Sequence, residues 1–346
     1  MTSKLKNLLC WQYVVGFLLV WAMLTAVNLH WLIDNSYLQM FLDAGKLSLI
    51  HKLSLAFTLK DPGYFLIQNL MSSIAGFEIF FGLLIFLCLV LKFCALLQVN
   101  SRPYLLDVLP YFLLLGFLHE GIQIRIAIAL SITLWAIIFF AKNQRILALF
   151  ILLLACTFHI SVATFFLVFA FALAYKRLGV KVLVTGVCIS GVLAFTSFVP
   201  DLLLKVGVAT NARFLLYSQQ SFLQIQNKTG LFQYFFLFVS FLTGFIWIFY
   251  KKTSEVWANL RLMGITSGLL AVAVLQIFRF NVVVSSRLAD LLLLPVVLVM
   301  GATLSQLKHQ KRYWLLVLII GILFIYCAAR AYVSFRQAPL TYQSIF

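Results

Sequence analysis

Apolar residues run along this chain in long blocks separated by short polar connectors. They do not alternate as they would in half-buried strands. Blocks of membrane-spanning length or close to it fall at Trp11–Leu29, Phe77–Leu97, Pro103–Leu118, Ile122–Ala141, Val180–Val199, Leu231–Tyr250, Leu262–Ile277, Leu288–Leu304 and Tyr313–Arg330. The run Ile146–Tyr175 is too long for one ordinary span of roughly 20 residues and short for two. Basic residues flank it on both sides, Lys142 and Arg145 before it and Lys176, Arg177 and Lys181 after it. If both clusters face the cytoplasm, the run crosses twice or re-enters, with a break near "TFHISVAT". The pattern predicts an all-α polytopic integral membrane protein of about eleven transmembrane helices, forming one domain over residues 1–346.

Two longer connectors, about 30–76 and 200–230, then face outward. In the first, "YFLIQNLMSSIAGF" places Ile67, Leu70, Met71, Ile74 and Phe77 at helical spacing, with Gln68, Asn69, Ser72 and Ser73 on the other side. This reads as an amphipathic helix at the outer interface, and "KDPG" before it is a turn or helix-start signal. The second connector contains "NARFLLYSQQ" and has no comparable pattern. The N-terminal block resembles a signal peptide but lacks an evident small-residue cleavage site, so it reads as a retained first helix.

Composition narrows the class. The chain is 64% hydrophobic and 10% charged, with a mean hydropathy of +1.07; a water-soluble domain cannot bury that much apolar surface. A net charge of +17 would suit nucleic acid, but most of the basic residues sit in connectors between apolar blocks, as membrane topology requires, so no nucleic-acid partner is expected. The six cysteines lie in apolar stretches without metal-ligand spacing. No Walker A loop, HExxH, GxSxG elbow or DxD motif occurs, so neither a metal nor another cofactor is expected.

The polar groups that remain gather on the outer side of this topology. Arg125, in "GIQIRIAIAL", sits just inside the outer end of a span, where an arginine costs a few kcal/mol unless it faces protein or water. It either snorkels to the interface, pairs with nearby Glu120, or lines a cavity. Arg279 in "IFRFN" and Arg287 in "SSRLADLL" end or begin other helices on the same side, and Arg213 lies in the second outer loop. Several guanidinium forks around one cavity would suit a phosphate or diphosphate, although Arg287 and Asp290 at i,i+3 would also serve as a local ion pair. His159 stands at the break in the long run, either satisfying freed backbone groups or lining a site. For a general base the candidates are Glu120, Asp61 and His159. Tyr217 and Tyr64 could stack on sugars or anchor at the interface.

The stretch "IQIRIAIALSITLWAIIFFAKNQRILALFILLLACTFHISVATFFLVFAF" resembles the core of the EpsG/Wzy-type bacterial polysaccharide polymerases. Arg125, Ala127 and Ala129 match that family's "R-Q-x-I-A" helix start, with Ile126 in place of glutamine; Phe158, His159 and Ser161 match its "F-H-x-S" segment. "SSRLADLLLLPVVLV" is similar to a later "R-L-x-x-Y-F" helix start, keeping Arg287 and Leu288 and carrying Leu291 and Leu292 where the aromatics stand. The resemblance implies an architecture like that of lipid-donor glycosyltransferases and an enzyme that polymerises undecaprenyl-diphosphate-linked repeat units at the periplasmic face of the bacterial inner membrane, in O-antigen or exopolysaccharide assembly. It also implies lipid-linked glycans as substrates, membrane lipid as surroundings and a chain-length-determining co-polymerase as a partner. An O-antigen ligase or other lipid-donor glycosyltransferase, and a flippase or transporter of lipid-linked sugars, are the alternative readings.

Overall fold

The computed structural model describes residues 16, 19–25, 41–58, 61–99, 105–116, 123–194, 235–250, 254–278 and 282–342, and among them no strand occurs. The helices are α1 (Leu49–Thr58), α2 (Pro62–Met71), α3 (Phe77–Leu97), α4 (Leu105–Tyr111, continued by a π-helical turn Phe112–Gly116), α5 (Ile124–Ala141), α6 (Arg145–Phe158), a 3-10 turn (Ile160–Ala163), α7 (Thr164–Leu178) and α8 (Val180–Ala194). They are followed by α9 (Phe235–Phe249), α10 (Glu255–Ile277), α11 (Val282–His309) and α12 (Tyr313–Tyr342).

Five of the described helical segments are long and apolar enough to cross a membrane: Phe77–Leu97, Ile124–Ala141, Ile160–Leu178, Glu255–Ile277 and Ser285–His309. Four shorter apolar helices accompany them: Leu106–Gly116, Arg145–Phe158, Phe235–Phe249 and Tyr313–Ala329. The chain is thus a multi-pass, all-helical membrane protein. Each apolar block from Phe77 onward has its helix, and α10, α11 and α12 extend beyond the blocks because their flanking polar residues are also helical. The first block is described only at residues 16 and 19–25, and the 200–230 connector lies outside the described residues.

The centre of the bundle is α11. Apolar residues from Ala289 to Leu307 bury almost all of its circumference, as expected of a helix that is hydrophobic all round. Helices α10, α4 and α5 pack against it. Close crossing with α4 needs Gly301: any Cβ there would collide with the backbone of Asp107, whose carboxylate accepts a hydrogen bond from Ser305 Oγ at 2.7 Å. On the other side α3 lies along α5. Their register is fixed by Trp135 Nε1 donating to the Leu91 carbonyl at 3.0 Å and Lys142 Nζ donating to Gln98 Oε1 at 3.0 Å.

The long run breaks at His159, as the flanking charges require. There α6 ends, one turn of 3-10 helix follows, and α7 leads back. The lysine- and arginine-rich turns (Lys142–Arg145, Lys176–Lys181, Lys308–Arg312) consequently share one end of the bundle. Glu255 stands there too and accepts a hydrogen bond from Asn143 Nδ2 at 2.9 Å.

The helix expected in the first outer loop differs from its sequence reading in two ways. It ends at Met71, where Ser72 and Ala75 turn the chain before α3, and does not run on to Phe77. Its polar residues also point inward: Gln68 and Asn69 are buried, while Leu70 and Ile74 are exposed. The reason is local. Asn69 Nδ2 donates to the Lys52 carbonyl at 3.0 Å, and the buried Lys52 ammonium bonds Ser73 and approaches Ser72, so α1 supplies partners for Asn69 and the two serines and the apolar side is left outward.

Candidate functional site

At the end opposite the lysine-rich turns, Arg125 occupies the first turn of α5. Its Nη1 donates to Asp61 Oδ2 at 2.8 Å, with side-chain exposures of 29% and 6%. Asp61 is the N-cap residue of α2, yet its carboxylate makes no capping bond to its own helix; it is committed to Arg125. Pro62 begins the helix without needing a hydrogen-bond partner for a backbone N–H. One turn on, the rings of Tyr64 and Phe65 lie under the guanidinium, with centroids 5.9 and 5.7 Å away. Both rings are buried, and Tyr64 also packs against Phe80 of α3. A cation set over aromatic faces gains attraction and loses little orientation freedom, so α2 presents one carboxylate and two rings to a single arginine.

The start of α2 is seated on the last turn of α6, and Gly63 is what allows the approach. A Cβ at this position would lie 2.5 Å from Thr157 Oγ1 and 3.2 Å from the Thr157 carbonyl carbon. Two residues beyond Thr157, His159 ends α6 in an extended conformation and caps the 3-10 turn, its Nδ1 accepting the Ser161 backbone N–H at 3.3 Å. An imidazole that accepts at Nδ1 carries its proton on Nε2 when neutral, and Nε2 is the nitrogen left for another partner. Thr164 Oγ1 donates to the Ser161 carbonyl at 3.0 Å, completing the bonds that the break frees.

Arg287, exposed in the second turn of α11, closes the group. The charges of Asp61, Arg125 and Arg287 all act on the His159 ring, and α11 packs directly on the 3-10 turn. Four residues distant in sequence thus share one end of the bundle: an acid from α2, arginines from α5 and α11, and a histidine from the α6–α7 break. Such a set can hold an anion between guanidinium forks and offers a carboxylate and an imidazole for proton transfer. Among the described residues no cluster of three or more His, Cys, Asp and Glu could hold a metal ion.

The structure therefore brings Asp61, Tyr64, Arg125, His159 and Arg287 together. Tyr64 stands beneath the arginine, its ring covered, rather than at an accessible surface. Glu120, Arg213, Tyr217 and Arg279 lie outside the described residues. Sequence reasoning named Glu120, five residues away, as a partner for Arg125; that residue lies outside the described ones, and a carboxylate that does meet Arg125 stands 64 positions upstream. It also gave no site role to Phe65 or to Gln68, which it placed on the polar side of the helix, although Asp61, Tyr64, Phe65 and Gln68 follow the i, i+3, i+4, i+7 spacing of one helical face.

No curated protein and no solved structure matches the chain. A family model does, and it spans residues 11–344, so every element that builds this site falls within the match. By that match over nearly its whole length, the chain belongs to the EpsG family.

Proposed function

We propose that the protein is a polysaccharide polymerase of the glycosyltransferase type that joins lipid-diphosphate-linked repeat units at the periplasmic face of the bacterial inner membrane. The family membership supports polysaccharide assembly. The face is argued from charge: lysine- and arginine-rich turns collect at the opposite end of the bundle, which the positive-inside rule assigns to the cytoplasm.

The single observation that carries the chemistry is Arg125 paired to Asp61 at 2.8 Å, with His159 within reach of both and of Arg287. In the donor, an undecaprenyl diphosphate, the bond between the anomeric carbon and the phosphate oxygen breaks. Its electron pair leaves with the diphosphate. Arg125 and Arg287 hold that diphosphate and stabilise the charge that grows on it, in the manner of preorganised electrostatic catalysis, with Arg279 and Arg213 as further candidates from the adjoining segments. A new bond forms from a hydroxyl oxygen of the acceptor glycan to the same carbon, and the hydroxyl proton passes to a base.

Asp61 takes that role in this reading, with Glu120 and His159 as the other candidates. The diphosphate carries more charge and more acceptor oxygens than one carboxylate, so on binding it draws Arg125 away from Asp61. The released carboxylate is then free to accept a proton. Loading the donor and arming the base become one event.

The test is the lipid-linked glycan profile of cells carrying Arg125→Ala or Arg287→Ala protein at normal membrane abundance. Single repeat units on the lipid are the expected product in both. Chains of ordinary length in both variants refute the diphosphate role, and long chains stranded on the lipid identify a ligase instead.

A further inference from the structure

Gln68 is 1% exposed, and neither its amide nitrogen nor its amide oxygen has a hydrogen-bond partner among the described residues. Native proteins keep few such groups. The neighbouring Asn69 shows the ordinary arrangement, its amide satisfied by the Lys52 carbonyl. Gln68 lies seven residues after Asp61, four after Tyr64 and three after Phe65, on one face of α2. All three of those side chains touch Arg125. Gln68 continues their row by one turn, about 10 Å along the helix axis from Asp61.

We propose that Gln68 recognises a hydroxyl group of the sugar attached to the diphosphate that Arg125 holds. This inference rests on the reading of the site given above and adds a sugar subsite to it. The chemistry selects the ligand: an amide both donates and accepts. A sugar hydroxyl does the same, whereas a diphosphate only accepts and leaves the amide oxygen empty. The spacing agrees, since Gln68 stands one helical turn beyond Tyr64, next in the row of groups that surround the guanidinium. Because the amide is closed off in the ligand-free chain, the glycan reaches it only by shifting the α2 face.

The experiment uses the full chain in detergent, with two probes: the lipid-linked repeat unit extracted from polymerase-deficient cells, and undecaprenyl diphosphate without sugar. Wild type is expected to bind the glycosylated lipid about tenfold more tightly than the bare lipid. Gln68→Met is expected to lose that preference while binding the bare lipid normally and, ligand-free, melting no lower than wild type. If Gln68→Met retains the preference, whether or not its melting temperature falls, the amide serves a buried water or the fold and the inference is overturned. An effect confined to the KM for a lipid-free acceptor glycan also overturns it. Failure of wild type to bind the bare diphosphate, or undiminished binding by Arg125→Ala, refutes the diphosphate reading itself, an outcome separate from the glycan preference.

Discussion

Asp61→Asn separates the two roles assigned to the Arg125 pair, because it should move binding and turnover in opposite directions. Asparagine keeps the size of the side chain and an oxygen that accepts from Nη1, but it removes the charge. In the resting protein that charge faces a guanidinium at 2.8 Å, in a pair whose members are 6% and 29% exposed. The bare attraction at such a separation is about 6 kcal/mol for an effective dielectric near 20. Desolvation takes back part of this, and hydrogen bonds to charged groups are worth about 1.5–3 kcal/mol net. A diphosphate that must displace Asp61 meets an opposing cost of about 1–3 kcal/mol, so removing the carboxylate should tighten undecaprenyl diphosphate binding by about 5- to 150-fold. Turnover should fall by about 10²–10⁴, the usual contribution of a positioned base. Binding is read by titrating purified protein with the bare lipid, and turnover by extension of extracted lipid-linked repeats. Unchanged binding removes the competition between Asp61 and diphosphate. Undiminished turnover removes Asp61 as the base.

Other substitutions probe the frame that holds this pair. Gly63→Ala should destabilise the protein by about 1–3 kcal/mol through overpacking, since the new Cβ meets Thr157 Oγ1 at 2.5 Å; adding Thr157→Ala should restore part of the melting temperature, and no recovery would refute the close seat of α2 on α6. Lys92→Met should cost about 1–3 kcal/mol, because the buried Lys92 ammonium donates to Ser131 Oγ at 2.6 Å and the Ala127 carbonyl at 3.2 Å; a melting curve superimposable on wild type would contradict this. Gln144→Cys, in the exposed turn between α5 and α6, should react with an impermeant maleimide only after cells are permeabilised, and labelling of intact cells would invert the proposed orientation.

Much of the fold was legible because a membrane helix must satisfy its backbone within itself and be apolar for most of its length. Phe77–Leu97 falls on the predicted residues, and the α6–α7 break falls where basic clusters at both ends of one run demanded a return. The orientation of α2 was not legible. Its pattern of Leu70 and Ile74 against Gln68 and Asn69 is a correct amphipathic pattern, but periodicity does not say which side meets protein. The apolar side turns outward when another element, here α1 with the Lys52 carbonyl, offers a polar partner. The candidate site was legible as a set of arginines and a histidine at helix ends. Its decisive contact was not, because a pairing across 64 residues depends on how α2 docks on α6, and that rests on the missing side chain of Gly63.

Two features of the fold, odd when taken singly, have one physical cause. Helix α6 has 14 residues, which rise about 21 Å, roughly 9 Å less than a hydrocarbon core of about 30 Å. With Arg145 placed at the lysine-rich boundary of the proposed orientation, His159 would stand below the opposite lipid surface and not on it. Helix α2, which docks on the end of α6, carries Leu70 outward and Gln68 and Asn69 inward, the arrangement that suits a helix beside lipid. In the proposed orientation, both features put the Arg125 group below the lipid headgroups. An arginine at that depth without a counter-charge is costly, which explains why Arg125 is found paired and set over two aromatic rings. The same low-dielectric surroundings strengthen its attraction for any anion that reaches it. In the proposed reaction the diphosphate comes on its own polyprenyl chain, and a carboxylate held at 2.8 Å is a suitable placeholder for that anion.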